Sequence, residues 1–340
     1  MTPAIFGVSG PRLTADEKAF FADCDPVGYI LFARNCEDKE QLRSLTDDLR
    51  SIHGREHLVI SIDQEGGRVR RMKPPVWIDH PAGGAYAELY RLAPASAIEA
   101  ARVGAELIGR ELAEVGITVD YHPPLDLPQP GAHDVIGDRA LGTEPMQVAA
   151  LGRAILDGLG RSGVVGCIKH MPGHGRSTTD THKSMPTVTA SEEELAHDLA
   201  PFKALASTSL MGMTGHLLFT AWDSENPATL SLKVVRNIIR KEIGFDGLLL
   251  TDDIDMEALS GSVPERAERA IAAGCDVVLN CWAKMDEMIG IVDRLPALSD
   301  DGSRRLARVH AAMVDPVERS PMEELLAKRD SLLSLVGANA

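Results

Sequence analysis

Eight short apolar runs, separated by stretches that include amphipathic helical patterns, constrain this chain more than any other feature. They lie near residues 4–8, 28–32, 58–63, 117–121, 164–169, 210–214, 247–252 and 276–280. Most are continuously apolar rather than alternating, as strands buried on both faces of a parallel sheet must be. Three of the intervening stretches show helical stripes. Val103, Leu107, Ile108 and Leu112 form one, and Val148, Leu151, Ile155, Leu156 and Leu159 a second. Val234, Val235, Ile238 and Ile239 form a third, with Gly244 as its stop. Thr14-x-x-Glu17, Ser96-x-x-Glu99 and Ser191-x-x-Glu194 read as capping boxes at helix starts. Strand and helix in alternation predict an α/β fold, a single (β/α)8 TIM barrel rather than an open sheet. The barrel should take up about residues 4–295 of one catalytic domain spanning 1–340. Residues 300–340 read as a helical extension packed outside it, and segments 83–95 and 131–146 as rim insertions.

The charge balance narrows the partners. A formal charge of −15 and a pI near 5.2 repel nucleic acid and anionic membrane surfaces, so neither is expected. Cys24, Cys36, Cys167, Cys275 and Cys281 are odd in number and widely spaced, which suits a reducing compartment. The N-terminus has no basic region followed by an apolar core, and no run approaches the roughly 20 apolar residues of a membrane span. A cytoplasmic protein is the expectation.

Chemistry-bearing residues gather where the strands end. Asp63 closes the third run, Asp120 and His122 follow the fourth, and Lys169 and His170 the fifth. His216 follows the sixth, Asp252 and Asp253 end the seventh, and Asn280 ends the eighth. In barrel enzymes that end of the strands carries the active site. After the fifth run, Lys169 to His182 packs Lys169, His170, His174, Asp180 and His182 into a segment broken by Pro172, Gly173 and Gly175. Asp180-x-His182 sets a carboxylate beside an imidazole, which fixes the tautomer and raises the basicity of the other ring nitrogen. Acid/base work by His182 is one reading, and metal ligation by His170, His174 and His182 is the other. Against a metal stand the non-helical spacing and the cation Lys169. Of the two adjacent carboxylates, alternation along a strand lets only one face the barrel mouth. Asp252 is taken as that one. Asp253 and Asp255 are expected to cap the following turn, with Met256 and Leu259 packed below.

Together these residues resemble glycoside hydrolase family 3, in particular its single-domain bacterial β-N-acetylglucosaminidases of cell-wall recycling. The resemblance runs from about Ile5 to Asn280 and is most specific in Lys169–Gly175 followed by Asp180-Thr181-His182. It implies a retaining exo-β-N-acetylglucosaminidase acting on muropeptide fragments through a covalent glycosyl-enzyme. Asp252, in Thr251-Asp252-Asp253-Ile254-Asp255-Met256, matches the family's nucleophile, and Asp180 with His182 its acid/base dyad. Asp63 and Arg71 in Ile62–Arg71, Arg139 in Ile136–Gly142, and the pair Lys169 and His170 match its sugar ligands. Met171, Ala140-Leu141 and Gly215 depart from the usual Phe, Ser-Phe and Ala at lining or packing positions. No cofactor and no metal are implied, and a monomer is. A β-glucosidase or a β-N-acetylglucosaminide phosphorylase on the same fold is the alternative, because a neutral imidazole does not repel phosphate. A metal-dependent hydrolase and a sugar-binding barrel without turnover are the readings from other classes.

Overall fold

The computed structural model describes residues 1–177, 185–314 and 320–336. Eight parallel strands close into a barrel. We number them β1 (Thr2–Gly7), β2 (Pro26–Leu31), β3 (Val59–Ile62), β4 (Val119–Asp120), β5 (Val165–Met171), β6 (Met211–Thr214), β7 (Leu248–Asp253) and β8 (Val277–Asn280). Neighbours in sequence are neighbours in space, and β1 pairs with β8 to complete the ring. The apolar runs therefore form the predicted barrel. Only the centre of the fourth is regular strand, because its paired register covers just Val119 and Asp120.

Two apolar layers hold the ring. Inside it, Ile5, Ile30, Val59, Tyr121, Cys167, Met213, Leu250 and Leu279 belong to one buried cluster. Outside it, the opposite faces of the strands pack against the helices in a second, larger cluster. The capping boxes at Thr14 and Ser191 form as expected. Ser96 is not a cap: its helix already starts at Pro94, where a fixed φ and a missing N–H suit the first turn. The 83–95 insertion is mostly helix, with Gly83–Leu92 burying Tyr86 and Leu89. The third stripe buries the four named side chains, but in a π-helix over Val234–Glu242.

The C-terminal extension is helical over Asp300–Ala312 and Met322–Leu333. The first of these helices does not lie on the barrel's flank. Leu306, Val309 and Met313 join the interior cluster and close the end of the barrel at which the strands begin. The second docks Leu325 on Val103 and Leu107. It also buries Arg329, whose guanidinium meets His80 Nδ1 at 3.3 Å. Among the described residues no helix is long and apolar enough to cross a membrane.

Candidate active site

The opposite end of the barrel is polar, and its centre is a buried ion cluster. Lys169, on β5, points its ammonium between two carboxylates, 2.9 Å from Asp63 Oδ1 and 2.7 Å from Glu65 Oε1. Asp63 Oδ2 also accepts from Arg71 Nη2 at 3.0 Å. Glu65 is gripped at both oxygens by Arg139, at 2.8 and 2.7 Å. Such a two-pronged pair is the strong form of charge-assisted hydrogen bond. Burial works to raise the Glu65 carboxyl, yet Arg139 and Lys169 outweigh it and hold the group well below the usual carboxylate range. Asp63 follows the same logic, with Lys169 and Arg71 as the cations. The four sequence-predicted residues Asp63, Arg71, Arg139 and Lys169 thus meet, around a fifth, Glu65, that sequence reasoning had not singled out.

The local chain makes this possible. Between Asp63 and Arg71 the backbone doubles back at Gly66, where φ is +90° and a Cβ would lie 2.3 Å from the Pro81 carbonyl oxygen. Only glycine fits that approach. Gln64 then stitches the turn, accepting from the amides of Arg71 and Met72 at 2.8 and 3.1 Å. Its own amide donates to Asp120 Oδ1 at 2.9 Å.

His170, the next residue on β5, is fixed by Asp126. Its Nδ1 lies 2.7 Å from Asp126 Oδ2. The other oxygen, Oδ1, accepts the amides of His170 at 3.2 Å and His174 at 2.6 Å. Burial pushes the Asp126 carboxyl up, but His170 and these amides bring it to about 2, so it stays ionised. Asp126, too, had not been singled out. His174 packs edge-on to His170, ring centroids 5.6 Å apart, and burial takes it down to about 4. Further on, the chain lies along the strand-four loop: Gln129 donates to Gly175 O and His133 to Ser177 O, at 3.0 and 2.7 Å. Further along the chain, Thr187–Val188 pairs in parallel with Leu218–Phe219, just after His216. Asp180 and His182 lie outside the described residues. Among the described residues no three His, Cys, Asp or Glu side chains converge as metal ligands.

Asp252 is the last residue but one of β7, on the other side of the mouth. Burial would raise its carboxyl, but the imidazoles of His170 and His216 and the Asp253 amide, at 2.8 Å from Oδ1, hold it below the ordinary value. Asp253 goes the other way, up to about 6, through burial and the neighbouring Asp252 charge. Its Oδ1 accepts from the amides of Asp255 and Cys281 at 3.3 and 3.2 Å, so it does cap the turn. Asp255 does not; it pairs with Lys284 at 2.7 Å. His216 stands behind the strand end. Its Nε2 lies 2.9 Å from the Asp253 carbonyl, so Nε2 carries a proton, and Nδ1 lies 2.8 Å from the Thr229 hydroxyl. Asn280 faces away from the mouth, since its neighbours Leu279 and Cys281 are the ones that reach the cavity.

Two adjoining cavities open here. One, of about 310 Å3, is walled by Asp63, Arg71, Arg139 and Lys169 together with His170, His174, Val135 and Ile136. The other, of about 550 Å3, reaches outward to Phe32 and Trp282. Asp63, Arg71, Met213, Asp252 and Met256 border both. Met256 therefore lines the site instead of packing only below it. A pocket rimmed by fixed donors and acceptors, beside a carboxylate kept ionised, is suited to hold a polyhydroxylated ring and to attack it.

Comparison with known proteins points the same way. The family described as glycosyl hydrolase family 3 N terminal domain matches residues 7–315. A beta-hexosaminidase of Bordetella avium (strain 197N) is 36% identical over 318 residues, covering 91% of this chain and 89% of its own. One from Alkalilimnicola ehrlichii is 36% identical over 316 residues, covering 92% and 89%. The crystal structure of NagZ from Neisseria gonorrhoeae in complex with N-trifluoroacetyl-D-glucosamine is similar at a TM-score of 0.86 and 30% identity, across 98% of both chains. A family 3 β-N-acetylglucosaminidase from Paenibacillus sp. str. FPU-7 gives 0.83 and 30%, across 98% of this chain and 66% of that one.

Proposed function

The chain belongs to glycosyl hydrolase family 3 and is a β-N-acetylhexosaminidase; we propose that it is a retaining exo-β-N-acetylglucosaminidase releasing terminal N-acetylglucosamine from cell-wall muropeptide fragments. Barrel and extension act as one catalytic unit, a monomer working in the cytoplasm. The observation that carries this reading is the placement of Asp252. It is a carboxylate held in its ionised form at the end of a buried strand, facing the ion cluster across a pocket that suits one pyranose.

Asp63, Arg71, Arg139, Lys169 and His170 hold the sugar through its hydroxyls and N-acetyl side. An oxygen of Asp252 attacks the anomeric carbon as the bond to the leaving oxygen breaks. His182, oriented by Asp180, gives its proton to that oxygen. A covalent glycosyl-enzyme results. Water then adds at the same carbon, His182 takes its proton, and Asp252 leaves as carboxylate, so two inversions restore the β configuration. The general scheme for retaining glycosidases uses two carboxylates; here an imidazole paired to a carboxylate takes the place of one. What supports that exchange is the Asp180-x-His182 match, borne by the segment whose flanking residues are anchored on the strand-four loop and just beyond β6.

The test is the anomer first formed from an aryl β-N-acetylglucosaminide, followed by proton NMR. The β anomer is expected, and an initial α anomer overturns the retaining scheme. His182→Ala should depress kcat/KM for glycosides with poor leaving groups by about 10²–10⁴-fold while sparing kcat/KM for activated aryl glycosides. Equal losses on both remove His182 from the acid role.

A further inference from the structure

The larger cavity has features that a pocket for one sugar does not need. Its outer wall is aromatic, with Phe32 just beyond β2 and Trp282 just beyond β8. Trp282 is 60% exposed. The other two tryptophans are put to structural use: Trp77 is buried, and the ring of Trp222 packs 5.1 Å from that of Phe219. An indole left in water at a cavity mouth contributes little to folding, so core packing does not account for it. Phe32 is held in place, with the guanidiniums of Arg34 and Arg71 at 4.9 and 5.0 Å from its ring centre. Arg34 is itself anchored through Nε to the Val8 carbonyl and through Nη2 to that of Cys281. The wall is therefore rigid on one side and open on the other.

We propose that Trp282 sets the preference for the leaving group, as the surface on which the second pyranose of the substrate lies in this cavity. The inference rests on the reading of Asp252 as nucleophile. Asp252 borders both cavities, so a glycosidic bond poised over it has one partner in the charged pocket and the other in this one. The cavity's 550 Å3 falls within the range of about 300–1,000 Å3 usual for small-ligand sites. Its lining mixes indole and phenyl faces with Arg34, Glu257 and Lys284. A pyranose matches that mixture, because its C–H groups lie on the ring faces and its hydroxyls at the edge. A hydrocarbon chain does not, because it would strip water from charged groups and return no hydrogen bond.

Steady-state kinetics on N,N′-diacetylchitobiose and on methyl β-N-acetylglucosaminide, with wild type, Trp282→Ala and Trp282→Phe, test the assignment. The alanine variant is expected to lose about tenfold in kcat/KM on the disaccharide, through KM, and under about twofold on the methyl glycoside. The phenylalanine variant should recover most of the loss. Equal losses on both substrates place Trp282 with the first sugar or with folding, and no loss on either leaves the indole without a carbohydrate partner; each result overturns the proposal. A wild-type protein that cleaves neither substrate overturns the hexosaminidase reading first, and this inference with it.

Discussion

The Lys169 ammonium lies 2.7 Å from Glu65 Oε1, and the two side chains keep only 2% and 3% of their exposure. Charges so far from water are tolerated only while paired. Lys169→Met should therefore leave Asp63 with Arg71 alone and Glu65 with Arg139 alone, each carboxylate short of one buried donor. A destabilisation of about 3–5 kcal/mol in urea unfolding is expected. A loss below about 1 kcal/mol would show that the cluster relaxes around the gap.

The adjacent carboxylates of β7 should separate cleanly by mutation. Asp252→Ala is expected to lower kcat on an aryl β-N-acetylglucosaminide by roughly 10⁴-fold or more. Asp253→Ala should cost less, since its carboxylate serves the amides of Asp255 and Cys281. The opposite ranking would move the nucleophile to Asp253.

Asp120 carries a pH signature. Its Oδ1 accepts the Gln64 amide, while Oδ2 is buried with no partner among the described residues. Burial takes its carboxyl up to about 8, against the pull of Lys169. Between the ordinary aspartate value of 3.8 and about 8, the folded protein keeps a proton that the unfolded chain has shed. The Asp120 contribution to stability is thus intact below pH 4 and is lost as pH rises to 8, by up to about 1.4 kcal/mol per unit. Asp120→Asn keeps an acceptor for Gln64 and cannot titrate. Relative to wild type it should gain stability steadily from pH 4 to 8 in chemical denaturation, and parallel curves would refute the assignment.

Arg329 ties the last helix to the sugar pocket. It can only donate to His80 Nδ1, so His80 Nε2 carries the proton that meets Glu111 Oε2 at 2.8 Å. The other Glu111 oxygen accepts the Ile78 amide at 2.9 Å, and the His80 carbonyl accepts the Gly67 amide at 2.8 Å. Arg329→Met is expected to cost about 1–3 kcal/mol. Because Gly67 belongs to the turn that presents Asp63 and Arg71, KM should rise more than kcat falls. A pure stability loss with unchanged KM would make the helix a brace and nothing further.

The barrel was legible because continuous apolar runs leave few alternatives to a buried parallel strand. The run at 164–169 is strand over Val165–Met171, and that at 247–252 over Leu248–Asp253. Glu65 and Asp126 were not legible. Glu65 sits inside the Ile62–Arg71 match, but the partners of both residues are remote: Glu65 meets Lys169 and Arg139, and Asp126 meets His170, contacts that only closure of the barrel brings about. Ser96 misled because a capping-box spacing inside a helix looks the same as one at its start, and Pro94 had already begun the turn. Ser262-x-x-Glu265, a real box, passed unnoticed. Asn280 misled because the last residue of a strand has even odds of facing out.

The ring of Asp63, Lys169, Glu65 and Arg139 satisfies itself without help from a ligand. An incoming sugar hydroxyl thus enters a lattice whose carboxylates are already paired, and long-range attraction adds little to its welcome. Selection then falls to fit. A ring with one hydroxyl turned the wrong way must push apart ion pairs that cannot re-form elsewhere, so this end of the barrel works as a gauge of stereochemistry more than as a magnet.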